Sequence, residues 1–205
     1  MAPTIRPVTT STPQPTAPAL ARWPPASIAL HWLLASMILG SLAVGLVMTE
    51  LPLSPTRLKL YNWHKWAGVT ILALSAVRLL WRLTHRAPPD LPMPPWQSRA
   101  AHALHAALYG LFFAVPLAGW AYSSAAGFPV VLFGVLPLPD FVAPDRAWSD
   151  SLKPVHRWLA YALAALVALH VLAALKHHVI DRDGLLLRMM PARRHGTTPS
   201  HKLRS

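Results

Sequence analysis

Eleven histidines stand in a chain of 205 residues that has no cysteine. Without thiolates, disulfides, cysteine zinc sites, iron–sulfur clusters and thioether-attached haem are excluded, and any metal is held by His, Met or carboxylate. Several of the histidines, His31, His64, His156 and His170 among them, fall inside long apolar runs, where an ionisable side chain is costly and points by default to function. His156 and His170 are 14 residues apart. In a helix that is a rise of roughly 21 Å and, at about 100° per residue, a rotation within about 40° of four full turns. One helix therefore presents two imidazoles on one face at two depths.

The elements that must position them are four apolar runs, roughly Ile28–Met48, Trp63–Leu83, Ala100–Ser123 and Leu152–His178. Each is near the ~20 residues that cross a ~30 Å hydrocarbon core as a helix. The connection 49–62 holds Pro52 and Pro55, and the connection 84–99 holds five prolines, so both are read as breaks between helices. The third connection, 124–151, is longer and partly apolar, but Pro129, Pro137 and Pro139 interrupt it, which reads as an interfacial loop rather than a fifth span. Residues 1–26, with seven prolines among Thr, Ser and Ala, read as a disordered tail and not as a cleaved signal. Residues 27–192 make the transmembrane domain and 193–205 a basic tail.

Composition agrees. The chain is 54% hydrophobic and 13% charged, with mean hydropathy +0.36, whereas soluble domains carry about 25% charged residues. That composition argues against a soluble enzyme. The net charge of +12 taken alone would suggest nucleic acid, but the charge gathers at the ends of apolar runs, which is the membrane pattern. With both termini on one side, that side collects thirteen of the 19 Lys and Arg and the other side six. The positive-inside rule then makes both termini cytoplasmic. The expected fold is all-α, an integral membrane four-helix bundle in a bacterial inner membrane.

That topology places His64 and His156 at the outer level and His31 and His170 at the inner level. Two histidine pairs stacked across a bilayer are what two bis-His haems need, because facing helices present one imidazole to each side of a flat macrocycle. Gly40, Gly45, Gly68 and Gly119 are the residues expected to leave room for porphyrin, or simply for close helix approach. Two other readings stay open: histidines that only pack, and a zinc or copper site. Zinc prefers three or four ligands in a compact tetrahedron, which separated pairs do not supply. Arg78 follows His64 by 14 residues, on the same face at the inner depth. With no carboxylate inside the spans, a haem propionate would suit it, and snorkelling to the cytoplasmic boundary is the alternative. His102, His105, His177 and His178 cluster towards the cytoplasmic ends, where imidazoles in reach of water can hand protons to a quinone or simply sit at the interface. Lys59, Lys65, Lys153 and Arg157 surround the outer level, where they would draw in a small anion or contact lipid headgroups.

The segments Ser27–Trp32 around His31, His64–Gly68, Val77–Leu80 with Arg78, Asp150–His156, Leu169–His170, His177–His178 and Leu187–Pro191 together resemble the bacterial cytochrome b561 family over about residues 24–192. Within the family the likeness is greatest to its superoxide-oxidising di-haem members. The resemblance implies that His64 and His156 ligate the periplasmic-side haem b and that His31 and His170 ligate the cytoplasmic-side one. It also implies that superoxide gives up an electron at the outer haem and that ubiquinone is reduced at the inner side, with His105 and His177 or His178 assisting protonation. The long Pro-rich tail, the extra basic C-terminal residues and the third loop depart from the family pattern. The same ligands would also serve a cytochrome b subunit passing electrons between quinone and a partner dehydrogenase or hydrogenase. A haem-free transporter or scaffold is a third expectation to be tested.

Overall fold

The computed structural model of the chain describes residues 21–191. Of the disordered tail read over residues 1–26, residues 1–20 lie outside the described residues, while Pro25 and Ala26 are ordered as the start of α1; the basic tail read over 193–205 also lies outside them. Four helices dominate: α1 Pro25–Glu50, α2 Pro55–Thr84, α3 Pro95–Ala125 and α4 Arg146–Lys176. All four are long and apolar enough to cross a membrane.

Each helix begins earlier than its apolar run. Pro25, Pro55 and Pro95 occupy the first helical position, where the missing N–H costs nothing and the fixed φ is already helical. Ser54 caps α2 by accepting from the Arg57 N–H at 3.2 Å, and Asp145 caps α4 by accepting from the Trp148 N–H at 2.9 Å. The prolines taken as breaks in two of the connections are thus partly helix starts, and the first loop shrinks to 51–54. His64 and His156 consequently lie nine and ten residues inside their helices, roughly 14 Å from each start, deeper than the apolar runs imply.

Close backbone contact runs in chain order, α1 on α2, α2 on α3 and α3 on α4, and α4 makes little with α1 or α2. Leu34, Ile38, Ile71, Leu108 and Leu163 form the central core, with Leu42, Leu74, Phe112, Val115 and Val167 packed around them. Large apolar side chains such as Leu39, Leu80, Trp158 and Leu172 are exposed on the outside of the bundle. That inverted surface suits a lipid solvent, in which an apolar exterior costs nothing.

The third connection folds as a small antiparallel hairpin, β1 Val131–Leu132 and β2 Leu136–Pro137, with Phe133 and Gly134 both at positive φ in its turn. It is fastened to α2: the Lys65 ammonium donates to the carbonyls of Phe128 and Pro129, and the Trp66 indole N–H donates to the Val131 carbonyl at 2.7 Å.

At the opposite end, α4 passes into a π-helical turn, His177–Asp181, and the chain reverses through Arg182 (φ 50°) and Gly184 (φ 77°) into a 3-10 turn, Leu186–Met189. Arg188 is buried there. Its side chain donates to the Ala21 carbonyl at 2.7 Å and the Pro89 carbonyl at 2.8 Å, while its own carbonyl accepts from the Trp23 N–H at 3.2 Å. The residues before α1, the α2–α3 connection and the C-terminal turn are thereby tied together at one end of the bundle.

Candidate functional site

Helices whose backbones make little close contact are joined by their histidines. His64 on α2 faces His156 on α4 with ring centroids 6.1 Å apart and planes at 81°. His31 on α1 faces His170 on α4 with centroids 6.2 Å apart and planes at 69°. An imidazole nitrogen binds a first-row metal at about 2.0 Å. Since a ring centroid lies about 1 Å behind its nitrogen, two imidazoles on opposite sides of one iron put their centroids about 6 Å apart. Both pairs have that separation.

The outer pair carries a second sign of ligand geometry. Nδ1 of His64 lies 3.1 Å from the Ser41 carbonyl and 3.2 Å from the Ser41 hydroxyl, and Nδ1 of His156 lies 3.0 Å from the Val115 carbonyl. A carbonyl only accepts, so each Nδ1 carries the proton and each Nε2 keeps its lone pair. Metal-ligating histidines use their second nitrogen in this way, which fixes tautomer and ring orientation.

Gly45 and Gly119 make those bonds sterically accessible. Each lies one helical turn after the carbonyl its histidine meets, and the imidazole rests on the bare backbone. A Cβ at Gly45 would stand 3.1 Å from His64 Cε1, and one at Gly119 would stand 2.8 Å from His156 Cε1. Of the four glycines expected to clear space for porphyrin, these two instead admit the histidine rings. A Cβ at Gly68 would stand 3.9 Å from Pro116 Cβ of α3, and one at Gly40 would meet nothing within 4 Å.

At the inner level His105 on α3 joins the pair, with its ring centroid 5.3 Å from that of His170. Arg78 donates from Nε to the Tyr109 hydroxyl at 3.1 Å, and its charge bears on both His31 and His170. One of its terminal nitrogens is buried with no partner among the described residues. Arg57 has the same property at the outer end of α2: it donates to the Tyr61 hydroxyl at 3.3 Å, and its Nε is buried without a partner among the described residues. A buried guanidinium N–H left open is costly, and the carboxylate of a haem propionate is a group that would satisfy it. Arg57 escaped the sequence reading, although it precedes His64 by seven residues, two helical turns on the same face.

The cytoplasmic-side cluster read from sequence separates into parts. His105 belongs with His170. His177 is bound to Asp183 and Asp181, and His178 is exposed. His102 pairs with Asp90 at 3.7 Å on an exposed surface. At the outer end Lys153 and Arg157 are exposed, whereas Lys65 is engaged in holding the hairpin.

Apolar helices, facing imidazole pairs and buried guanidinium N–H groups left open among the described residues fit a haem-binding membrane bundle, and comparison with known proteins agrees. The family model for prokaryotic cytochrome b561 matches residues 22–192. The chain is 38% identical over 168 residues to cytochrome b561 homolog 2 of Escherichia coli (strain K12), covering 80% of this chain and 88% of that protein. It is 34% identical over 175 residues to cytochrome b561 homolog 1 of the same organism, covering 84% and 99%. It is 32% identical over 173 residues to the probable superoxide oxidase CybB of Yersinia pestis, covering 82% and 94%. The chain belongs to the prokaryotic cytochrome b561 family: it is a multi-pass bacterial membrane protein of electron transport, with haem b as its cofactor.

Proposed function

We propose that this protein holds two haems b, one between His64 and His156 and one between His31 and His170, and that it oxidises superoxide to dioxygen while reducing ubiquinone. The observation that carries the reading is the pair of imidazole couples at two depths, each with centroids about 6 Å apart. The relative named a probable superoxide oxidase supports the choice of substrate. Arg57 and Arg78 pair with propionates, and both termini are cytoplasmic, as the basic-residue count favours.

Haem held by these histidines would supply one-electron chemistry. The chain supplies the rest. Ser41 and Val115 hold the outer imidazoles in the ligating tautomer. The exposed cations Lys153 and Arg157 raise the local concentration of the superoxide anion at the outer face. Two superoxide ions, one quinone and two protons give two dioxygen molecules and one quinol. Since quinone takes up both protons, its site lies at the inner water boundary, with His105, His177 and His178 as proton donors.

A pyridine haemochrome count with superoxide-consumption kinetics tests the proposal. Wild type is expected to hold two haems per chain, and His64→Ala and His31→Ala about one each. A protein with haem that consumes superoxide no faster than its His64→Ala variant refutes the substrate assignment. A stoichiometric dehydrogenase or hydrogenase partner together with no superoxide activity would support the electron-transfer subunit instead.

A further inference from the structure

His177 stands seven residues beyond His170, about 10 Å closer to the inner boundary, with its side chain 14% exposed. Its Nδ1 lies 2.5 Å from Asp183 Oδ2 and 3.2 Å from Asp181 Oδ2. The two carboxylates differ in their other partners. Lys176 Nζ holds Asp181 at 2.6 Å. Asp183 accepts the Leu185 N–H on its Oδ1 at 2.9 Å and, among the described residues, has no cationic partner besides the imidazole. The chain reversal through Arg182 and Gly184 brings Asp183 back beneath the ring. Partial burial pushes the Asp183 carboxyl upwards, but the Leu185 N–H and the His177 ring outweigh it and hold the group below the ordinary carboxylate value.

An ionised carboxylate only accepts, so the hydrogen between the two groups resides on His177 Nδ1 and Nε2 is the nitrogen left to exchange protons. We propose that Asp183 is the positioning residue that makes His177 a proton donor to quinone at the inner boundary. This rests on the quinone reading of the inner side. As the quinone takes up an electron from the protein, an O–H bond forms on its oxygen and the Nε2–H bond of the imidazolium breaks. Nε2 then takes a proton from water while Asp183 balances the ring's charge. Two such deliveries, with two electrons drawn from two superoxide ions, convert quinone to quinol.

The donor atoms of His177, Asp181 and Asp183 lie within 4.8 Å of one another, close enough for a metal ion as well. The Lys176 ammonium already supplies a positive charge to Asp181, and His177 and Asp183 satisfy each other, which favours proton delivery over cation binding.

The test separates two half-reactions of the purified holoprotein by stopped flow: haem reduction by superoxide, and haem reoxidation by a short-chain ubiquinone between pH 5.5 and 8.5. In Asp183→Asn the quinone step is expected to slow about 10- to 100-fold, the lower part of the range for a positioned acid, with its pH profile displaced towards acid. Superoxide-driven reduction is expected to keep its wild-type rate, and Asp183→Glu to recover part of the loss. A wild type that reduces no quinone overturns the functional reading and this inference together. A wild type that does so, with an Asp183→Asn variant equally fast and with the same profile, overturns the role of Asp183 alone, as does loss of wild-type quinone reduction on EDTA treatment. Nitrogen NMR of histidine-labelled wild type gives a readout independent of any variant: finding Nδ1 of His177 unprotonated overturns the proposal.

Discussion

His156 lies on the backbone of Gly119 so closely that a Cβ there would stand 2.8 Å from its Cε1 and 3.0 Å from its Nδ1. The ring is held against that same stretch of α3 by its bond to the Val115 carbonyl, so it cannot simply swing away. Gly119→Ala should therefore displace the imidazole and break that bond, and haem counting should find the outer haem lost or its occupancy sharply reduced. Gly45→Ala, at 3.1 Å from His64, should be milder, with retained haem of altered spectrum. Gly40→Ala meets nothing within 4 Å and should bind both haems, with helix propensity raising stability by about 0.5–1 kcal/mol.

Arg57 and Arg78 each keep a buried N–H free of partners among the described residues, one towards each end of α2. A positive charge close to a haem favours the reduced state. Arg57→Gln should lower the midpoint potential of the outer haem, and Arg78→Gln that of the inner one, each by about 30–60 mV, up to a tenfold change in a one-electron equilibrium. Redox titration monitored optically would resolve them. Equal shifts of both haems from either substitution would show that the two arginines do not address separate levels.

Much of this arrangement was legible in the sequence because membrane helices obey few rules. Twenty apolar residues must be a helix, its depth follows from residue count, and a spacing of 14 returns to one face, so the pairing of His156 and His170 with partners on α2 and α1 could be read from numbering alone. What could not be read depends on contacts between helices. Nothing local to Ser41 or Val115 says that its carbonyl meets a histidine, and the need for Gly45 and Gly119 appears only when the rings are in place. Prolines misled in the opposite direction, since Pro55 and Pro95 start helices where they seemed to separate them. The hairpin and the turn after Asp181 are set by left-handed residues such as Phe133 and Arg182, for which side-chain type gives no warning.

Arg188 joins three segments at the inner end, donating to Ala21 and Pro89 while its carbonyl receives Trp23. Trp32, next to His31, donates to the Met189 carbonyl at 2.8 Å, so the same turn bears on the inner site. Hydrogen bonds from a charged donor contribute about 1.5–3 kcal/mol each, and truncation also leaves a cavity. Arg188→Ala should destabilise the protein by about 2–4 kcal/mol and, in hydrogen exchange, open residues 21–24 and 185–190 together. Opening of only one of these segments would show that Arg188 does not link them.

The ion pair beneath α4 gives a pH dependence whose sign follows from Asp183. Its carboxyl is held below the ordinary value by the Leu185 N–H and His177, against the upward push of partial burial. A depressed folded-state value means that the unfolded chain binds the proton more readily, so this group adds stability above the ordinary carboxylate range and loses it as pH falls through the folded value. The part of the Val179–Met190 segment's protection against hydrogen exchange that Asp183 supplies should thus fall away below about pH 4, where the free carboxyl begins to protonate. Asp183→Asn should show weak protection already at pH 7 and little further change on acidification. Were the variant to retain both the wild-type protection and its acid-induced loss, another group would have to be the one titrating.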